Sequence, residues 1–195
     1  MEEGKRRYKI MNLLNKKTNN QKRKTRSTKG SYLIEAPVML FIMLIFIAFP
    51  MIDLASIAMR STFLIASARE AARAAARAKT FQAGDPGSPS AKAVATSTAN
   101  TAITKFNGVA ISHVKTYIVV TDLAASATSK QEGPLVASAD STVNVYSIEV
   151  EVLGQIEPII KYSGGALGNI PGLTAPMPLT VRSRDVCENL QGLTS

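Results

Sequence analysis

Few residues of this chain belong to the types that carry enzyme chemistry. His113 is the only histidine and Cys187 the only cysteine among 195 residues, so a protease triad or a multi-histidine metal site would depend on one imidazole. We expect His113 on the surface and Cys187 as a small buried hydrophobic residue. Glu149 and Glu151 share a predicted strand face, and a carboxylate pair alone is a weak sign of glycoside hydrolysis. With no nucleophile elbow, phosphate loop or H-E-x-x-H motif, the sequence predicts a non-enzymatic protein without catalytic residues, metal or other cofactor.

The net charge of +9 is concentrated at the start of the chain. Residues 1–29 contain eleven Lys and Arg residues and two Glu residues, so the rest of the chain is neutral. A basic stretch that stops where an apolar run begins is typical of a membrane topology signal, because positive flanks resist translocation and stay cytoplasmic. We therefore expect residues 1–30 to form a basic cytoplasmic leader, and we expect no nucleic acid among the partners.

An uncharged apolar run of seventeen residues extends from Ala36 to Ile52. As a helix it would measure roughly 26 Å, close to the ~30 Å hydrocarbon core of a bilayer, and Leu33 and Ile34 lengthen it. The run therefore predicts a transmembrane helix. The alternative is a secretory signal peptide cleaved after Ala58, but its apolar region would be too long, and helical sequence continues past that site.

The helical pattern continues beyond the apolar run. Residues 54–80 contain no glycine or proline and are rich in alanine, which favours one helix over about 33–80, on the order of 70 Å long, able to kink at Pro50. Its flat alanine surface would let another helix of an assembly approach closely. A basic stripe, either a solvated face or a contact face, is formed by Arg69, Arg73 and Arg77.

Glu35 stands at the edge of the apolar run, five residues after Gly30. This order of features resembles the prepilin-peptidase processing motif of type IV pilins and their relatives. In that motif a basic leader is followed by glycine, four further residues, glutamate and an apolar helix. The resemblance implies cleavage after Gly30 by a prepilin peptidase. Ser31 would become the new N-terminus, and its ammonium group would pair with Glu35 of a neighbouring subunit. Taken alone, Glu35 fits equally well a side chain that snorkels to the headgroups.

The resemblance becomes more specific over residues 27–80. TadE-like minor pseudopilins of tight-adherence pili combine the glycine–glutamate start with a long apolar helix, an acidic residue after it, here Asp53, and an alanine–arginine run, here 67–75. Membership would imply that Glu35, Pro50 and Asp53 contact other pilin-like subunits and pilus assembly proteins. The chain differs from the major subunits of such pili, because alanine follows its glutamate where they carry tyrosine.

The remaining sequence predicts a small extracytoplasmic α+β domain over residues 83–195. Glycines and prolines within 81–90 end the long helix, which with its extension occupies 31–82. Apolar residues at helical spacing over 91–106 predict a second helix. Three segments rich in β-branched residues predict strands: 113–122, 142–153 and 178–186. We expect these strands to form an antiparallel sheet packed on one or two helices.

The strand predicted at 142–153 alternates in polarity. Its apolar side chains, among them Ile148, predict a face buried on the helices, whereas Ser147, Glu149 and Glu151 predict a face open to water. The last strand alternates in the same way, with leucine and valine opposite threonine and two arginines. We therefore expect a sheet with one buried and one solvated face.

Two long connections complete the predicted domain. Residues 154–175 hold five glycines among apolar residues, and a loop of this length either contacts partner subunits or is a flexible excursion. Residues 124–141 are rich in serine and alanine and predict turns and loops without evident chemistry.

The function expected from these features is that of a minor pseudopilin or assembly component. It would be single-pass in the bacterial inner membrane, with a cytoplasmic N-terminus and its C-terminal domain outside. Two alternatives stay open. One is an unprocessed, signal-anchored membrane protein whose outer domain binds a partner, and the other is a secreted enzyme released after Ala58, which no catalytic constellation supports.

Overall fold

The computed structural model of the chain describes residues 31–84, 87–161 and 168–195. These residues fall into two compact units, one ending at Phe49 and one formed by Pro50–Ser195. The second unit, called the sheet domain below, begins far ahead of residue 83, where composition places the boundary. The reason is that the helix following Pro50 supplies part of the domain core.

Helices occupy three stretches of the described chain. The long apolar N-terminal helix predicted from the sequence is confirmed, although it stops four residues before Thr80. The second helix begins after Ser90, whose hydroxyl accepts a hydrogen bond from the Ala93 amide as an N-terminal cap. In chain order the helices are α1 Ser31–Met43, a π-helical segment Leu44–Ala48, α2 Phe49–Ala76, α3 Ala91–Ile103 and a 3-10 turn Gln191–Thr194.

Four antiparallel strands form one sheet in the order β2-β1-β3-β4. Three of them were predicted, but β1 starts four residues earlier than expected and β3 ends three residues later. The reading of 124–141 as loop alone is wrong, because a short edge strand lies within it and pairs with β1. The strands are β1 Val109–Asp122, β2 Thr128–Gln131, β3 Asn144–Ile156 and β4 Met177–Val186.

The core lies between the sheet and the two helices that cover one of its faces. Helix α2 contributes a stripe of small residues, α3 contributes alanines and Ile103, and β3 contributes Ile148, Val150 and Val152. The alanine surface of α2 is therefore buried inside its own domain. It packs on the sheet of the same chain and not, as expected, on a helix of another subunit. Small side chains serve here because they let a helix approach the sheet closely. The buried residues of α2 in this core are Leu64, Ala68, Ala71, Ala72, Ala75 and Ala76.

The C-terminal segment closes the end of α2. The Glu188 amide donates to the Ala76 carbonyl at 3.0 Å, and the Asn189 side-chain amide donates to the Lys79 carbonyl at 3.1 Å. These bonds satisfy carbonyl groups that the end of a helix and its following turn leave without intrahelical partners. Gly192 packs so closely that a Cβ would fall 1.6 Å from the Lys79 carbonyl oxygen.

The sheet face opposite the helices is covered by ion pairs. Glu149 is 8% exposed; its Oε1 lies 2.5 Å from Nζ of Lys130, and its Oε2 lies 3.0 Å from Nη2 of Arg184. The ammonium group of Lys130 also lies 3.7 Å from the centre of the Tyr117 ring. The assignment of Ser147 and Glu149 to a solvated face is therefore wrong, since both residues are buried.

Acidification is expected to destabilise the sheet domain through Glu149. Burial raises the pKa of its carboxyl, but the hydrogen bonds and charges of Lys130 and Arg184 outweigh burial, and the pKa lies below its ordinary value of 4.5. A carboxyl with a lower pKa in the folded state stabilises the fold above pH 4.5, and this contribution is lost as the pH falls through the folded-state pKa. Glu149→Gln should cost roughly 1–3 kcal/mol at neutral pH and should flatten the acid decline.

Urea unfolding of the full chain in detergent micelles over a series of pH values measures this effect. Glu188→Gln is the matched control, because it breaks an exposed pair with Arg77, and exposed pairs contribute little. Parallel stability curves for the wild type and Glu149→Gln below pH 4.5 would contradict the role given to Glu149.

Candidate functional site: the apolar helix and its buried aspartate

The apolar side chains of the first unit are exposed. Large hydrophobic residues from Val38 to Ile47 are between 40% and 69% exposed, apart from half-buried Ile45. Such a contiguous surface is rare on a soluble protein and marks contact with lipid or with another protein. Within the described part of the chain, one helix, Glu35–Ala76, is long and apolar enough to cross a membrane.

Glu35 lies on α1 at the start of this apolar surface, and its side chain is exposed. Ser31 belongs to the same helix, and a spacing of four residues places positions 31 and 35 on one helix face. Gly30, the predicted cleavage site, lies outside the described residues. Pairing of Glu35 with the Ser31 ammonium group of a neighbouring subunit stays a prediction.

The helix is irregular directly ahead of Pro50. The Phe49 amide donates to the Leu44 carbonyl, five residues back, as in a π-helix. Pro50 has no amide hydrogen, and its ring crowds the carbonyl four residues back, so a widened turn at this point relieves the crowding. A π-helical segment thus lies directly before Pro50, while a kink at Pro50 and its contact with other subunits stay predictions.

Asp53 is fully buried and binds the backbone of its own chain. Its Oδ1 accepts hydrogen bonds from the amides of Ile159 and Ile160, at 3.0 and 2.9 Å. Its Oδ2 has no hydrogen-bond partner among the described residues. The carboxylate therefore fastens the segment after β3 to α2. The predicted contact of Asp53 with other subunits stays a prediction beside this role inside the chain.

The connection between β3 and β4 touches α2 a second time, one turn after Asp53. Ile57 is 7% exposed, and its Cδ1 lies 2.8 Å from the place where a Cβ on Gly172 would stand. Gly172 also has a φ of +84°, a conformation that favours glycine. The described parts of the connection are thus held on α2 at Asp53 and at Ile57.

Arg60 marks the first basic residue of α2, and it is also engaged within the domain. Its guanidinium group donates to the Glu157 carbonyl and lies so close to Gly108 that a Cβ there would clash with it. The Glu157 amide in turn donates to the Gly108 carbonyl at 2.9 Å. Arg60 therefore joins α2 to the turn before β1 and to the end of β3.

The residues considered for enzyme chemistry lie on β1, on β3 and directly after β4. His113 is exposed on β1, whereas Cys187 is 8% exposed, as expected for a buried hydrophobic residue. Burial raises the pKa of the Cys187 thiol, which disfavours the reactive thiolate. Glu151 pairs with Arg182 at 2.6 Å. Within the described ranges, no group of three or more His, Cys, Asp and Glu side chains is placed to hold a metal ion.

The basic stripe on α2 is solvated and partly paired inside the domain. Nε of Arg77 lies 3.1 Å from Oε1 of Glu188, and Nε of Arg73 lies 3.9 Å from Oδ2 of Asp185. Arg69 is exposed. These exposed pairs join α2 to β4 and the residues after it, and each is worth little to stability.

No protein-family model, no curated protein and no solved structure matches this chain. The candidate site is therefore defined by the geometry of the chain itself. It consists of an exposed apolar helix that carries Glu35 near its start, and of the Asp53 carboxylate, which holds a loop against α2.

Proposed function

We propose that this chain is a TadE-like minor pseudopilin, a non-enzymatic component of a tight-adherence pilus or a related secretion apparatus. The observation that carries the proposal is the exposed apolar helix with an acidic residue, Glu35, near its start. The helix anchors the protein in the bacterial inner membrane as a single span. The basic leader keeps the N-terminus in the cytoplasm, so the sheet domain lies on the extracytoplasmic side.

The acidic residue supports processing of the leader. A carboxylate carried to the centre of a bilayer costs on the order of 2.5–3.5 kcal/mol, so an acidic residue on a lipid-facing helix needs a cationic partner. Removal of residues 1–30 by a prepilin peptidase supplies such a group, the ammonium group of Ser31. Its pairing with Glu35 of the next subunit sets the register between pilin-like subunits, which are the partners we propose together with pilus assembly proteins.

The sheet domain supports a role in presenting surface to other proteins. With Cys187 as its only cysteine, the domain has no internal disulfide and is held by packing of α2 and α3 on the sheet. Its one thiol is buried with a raised pKa, and within the described ranges no group of three or more His, Cys, Asp and Glu side chains could hold a metal ion. A small domain at the end of a membrane helix suits a minor subunit or an assembly factor.

Mass spectrometry of the membrane-bound protein tests the proposal. In cells with a working prepilin peptidase the mature chain should start at Ser31, and in cells without the peptidase it should keep residues 1–30. Gly30→Val should block cleavage and leave the full-length mass, because a side chain at this position prevents close approach to the backbone. Gly4→Val changes another glycine of the leader and should leave processing intact.

The alternatives give other masses in the same experiment. A membrane-bound chain that still begins at Met1 beside an active peptidase would overturn the pseudopilin proposal and leave a signal-anchored protein with a partner-binding domain. A released chain that begins at Met59 would instead show a cleaved signal peptide.

A further inference from the structure

The surface of α2 around Asp53 is apolar although Asp53 itself is acidic. Met51, Ile52, Leu54 and Met59 are 61%, 48%, 60% and 66% exposed, whereas Asp53 is 0% exposed. No other charged residue occurs on α2 before Arg60. The exposed apolar surface of this helix thus continues past the acidic position, because another part of the chain covers the carboxylate.

In the covering segment, the backbone amides of residues 157, 159 and 160 are satisfied. The amide of Glu157 donates to the Gly108 carbonyl, Pro158 has no amide hydrogen, and the amides of Ile159 and Ile160 donate to Asp53. Irregular backbone is tolerated at membrane depth only when its polar groups find partners within the protein. Oδ1 of Asp53 and the two amides therefore satisfy each other in a place where water would otherwise be needed, while Oδ2 has no partner among the described residues.

The second described part of the connection is built in the same way. The amides of Leu173, Thr174 and Ala175 donate to the Ile170 carbonyl, at 2.9 to 3.3 Å. The Ile170 amide donates to the Thr174 hydroxyl at 2.7 Å. This turn rests on Ile57 through Gly172. Its backbone is thus largely bonded within the turn, while the Ile170 side chain points outward at 42% exposure.

Resting on the proposed membrane anchoring, we propose that residues 157–161 and 168–175 form an interfacial loop. This loop inserts Ile159, which is 55% exposed, and Ile170 into the boundary between headgroups and acyl chains of the outer leaflet. Lys161 and Glu157 form an exposed pair at 3.0 Å, which suits the charged headgroup layer. We assign lipid rather than protein as the partner of these two isoleucines. The reason is that Asp53 holds the loop beside the exposed apolar surface of α2, so the loop extends that surface.

Single-cysteine probes in vesicles test the inserted loop. We would replace Cys187 with alanine, attach an environment-sensitive fluorophore to Ile159→Cys or Ile170→Cys, and reconstitute the purified full chain in phosphatidylethanolamine–phosphatidylglycerol vesicles. Two positions serve as references: Leu40, 66% exposed on the apolar helix, and Val136, 104% exposed between β2 and β3. Lipids with a quenching group near the headgroup should reduce the emission of both loop probes, as lipids with a deeper quencher do for Leu40. The Val136 probe should keep its emission.

Three other results are possible, and each one contradicts either the interfacial loop or the membrane anchor. If the Leu40 probe is quenched while the Ile159 and Ile170 probes behave like Val136, the interfacial loop is overturned and the membrane anchor stands. If the two loop probes shift to shorter wavelength without quenching, the loop packs on a second copy of the chain, which also overturns the inference. If the Leu40 probe is not quenched, the anchor itself fails and the loop inference falls with it.

Discussion

Replacing Gly154 with alanine should destabilise the sheet domain by about 1–3 kcal/mol, since a side chain inserted into a filled core forces its neighbours to move. A Cβ at this position would stand 2.8 Å from both methyl carbons of Leu64 and 3.3 Å from the Ala110 carbonyl oxygen. Leu64 is 0% exposed and belongs to the core cluster, so its methyl groups can move only against other core side chains. Composition places Gly154 in a loop, and its position inside β3 is explained by this close approach of α2.

A double-mutant cycle separates this contact from general damage to the core. Leu64→Ala alone should cost about 2–5 kcal/mol, because it leaves a cavity. In the double variant Leu64→Ala/Gly154→Ala the new methyl group enters that cavity. The stability loss of the double variant should therefore be smaller than the sum of the two single losses by about 0.5–3 kcal/mol. Urea unfolding in detergent, followed by circular dichroism, gives the four free energies.

Gly133→Ala provides the control for the glycine substitution, since no atom lies within 4 Å of its Cβ position. It should leave the free energy of unfolding nearly unchanged. Strictly additive losses at Gly154 and Leu64 would mean that the two residues do not touch in the folded protein.

Much of the fold could be predicted because it follows from local periodicity. The apolar run and the alanine-rich sequence after it predict the long helix, and alternation around Ile148 predicts the buried face of β3. Strand β2 was missed because its four residues, Thr128–Gln131, show no apolar alternation, and it exists only through pairing with β1. Since Lys130 lies on this strand, the burial of Glu149 beneath its ion pairs was missed with it.

The alanine face of α2 is a pattern that predicts close packing but does not identify the element that packs there. Small residues at helical spacing indicate that something approaches closely, but they fit the chain's own sheet and a foreign helix equally well. The structure places this face in the domain core. Only the order of the sheet and helices, which depends on long-range pairing, decides between the two.

Only the part of the candidate site that forms a continuous sequence motif could be predicted from the sequence. Gly30, Glu35 and the apolar run form a linear pattern that can be recognised without a fold. The partners of Asp53 are two backbone amides more than a hundred residues away, and every residue except proline carries such an amide. No sequence signal therefore pointed to them.

Asp53→Ala is expected to cost about 3–6 kcal/mol of unfolding free energy, because a hydrogen bond to a charged group contributes about 1.5–3 kcal/mol and two are lost. The loss should be concentrated in the loop, whose amides at Ile159 and Ile160 then have no acceptor. Asp53→Asn keeps an oxygen that accepts both bonds, although it loses the charge and puts an amide group where Oδ2 has no partner, so its loss should be smaller than that of Asp53→Ala. Hydrogen–deuterium exchange of residues 157–161 in detergent should show rapid exchange for Asp53→Ala and slower exchange for Asp53→Asn.

Asp122 offers a matched control on the surface. Its Oδ1 also accepts two backbone amides, those of Ala124 and Ala125, at 2.7 and 2.9 Å, but water replaces these bonds readily because the site is exposed. Asp122→Ala should therefore change stability far less than Asp53→Ala and leave exchange at 157–161 unaltered. The burial of Asp53 is what separates the two sites, so equal losses for both alanine variants would show that the buried carboxylate does not hold the loop. Unchanged exchange at 157–161 in Asp53→Ala would lead to the same conclusion by a local measurement.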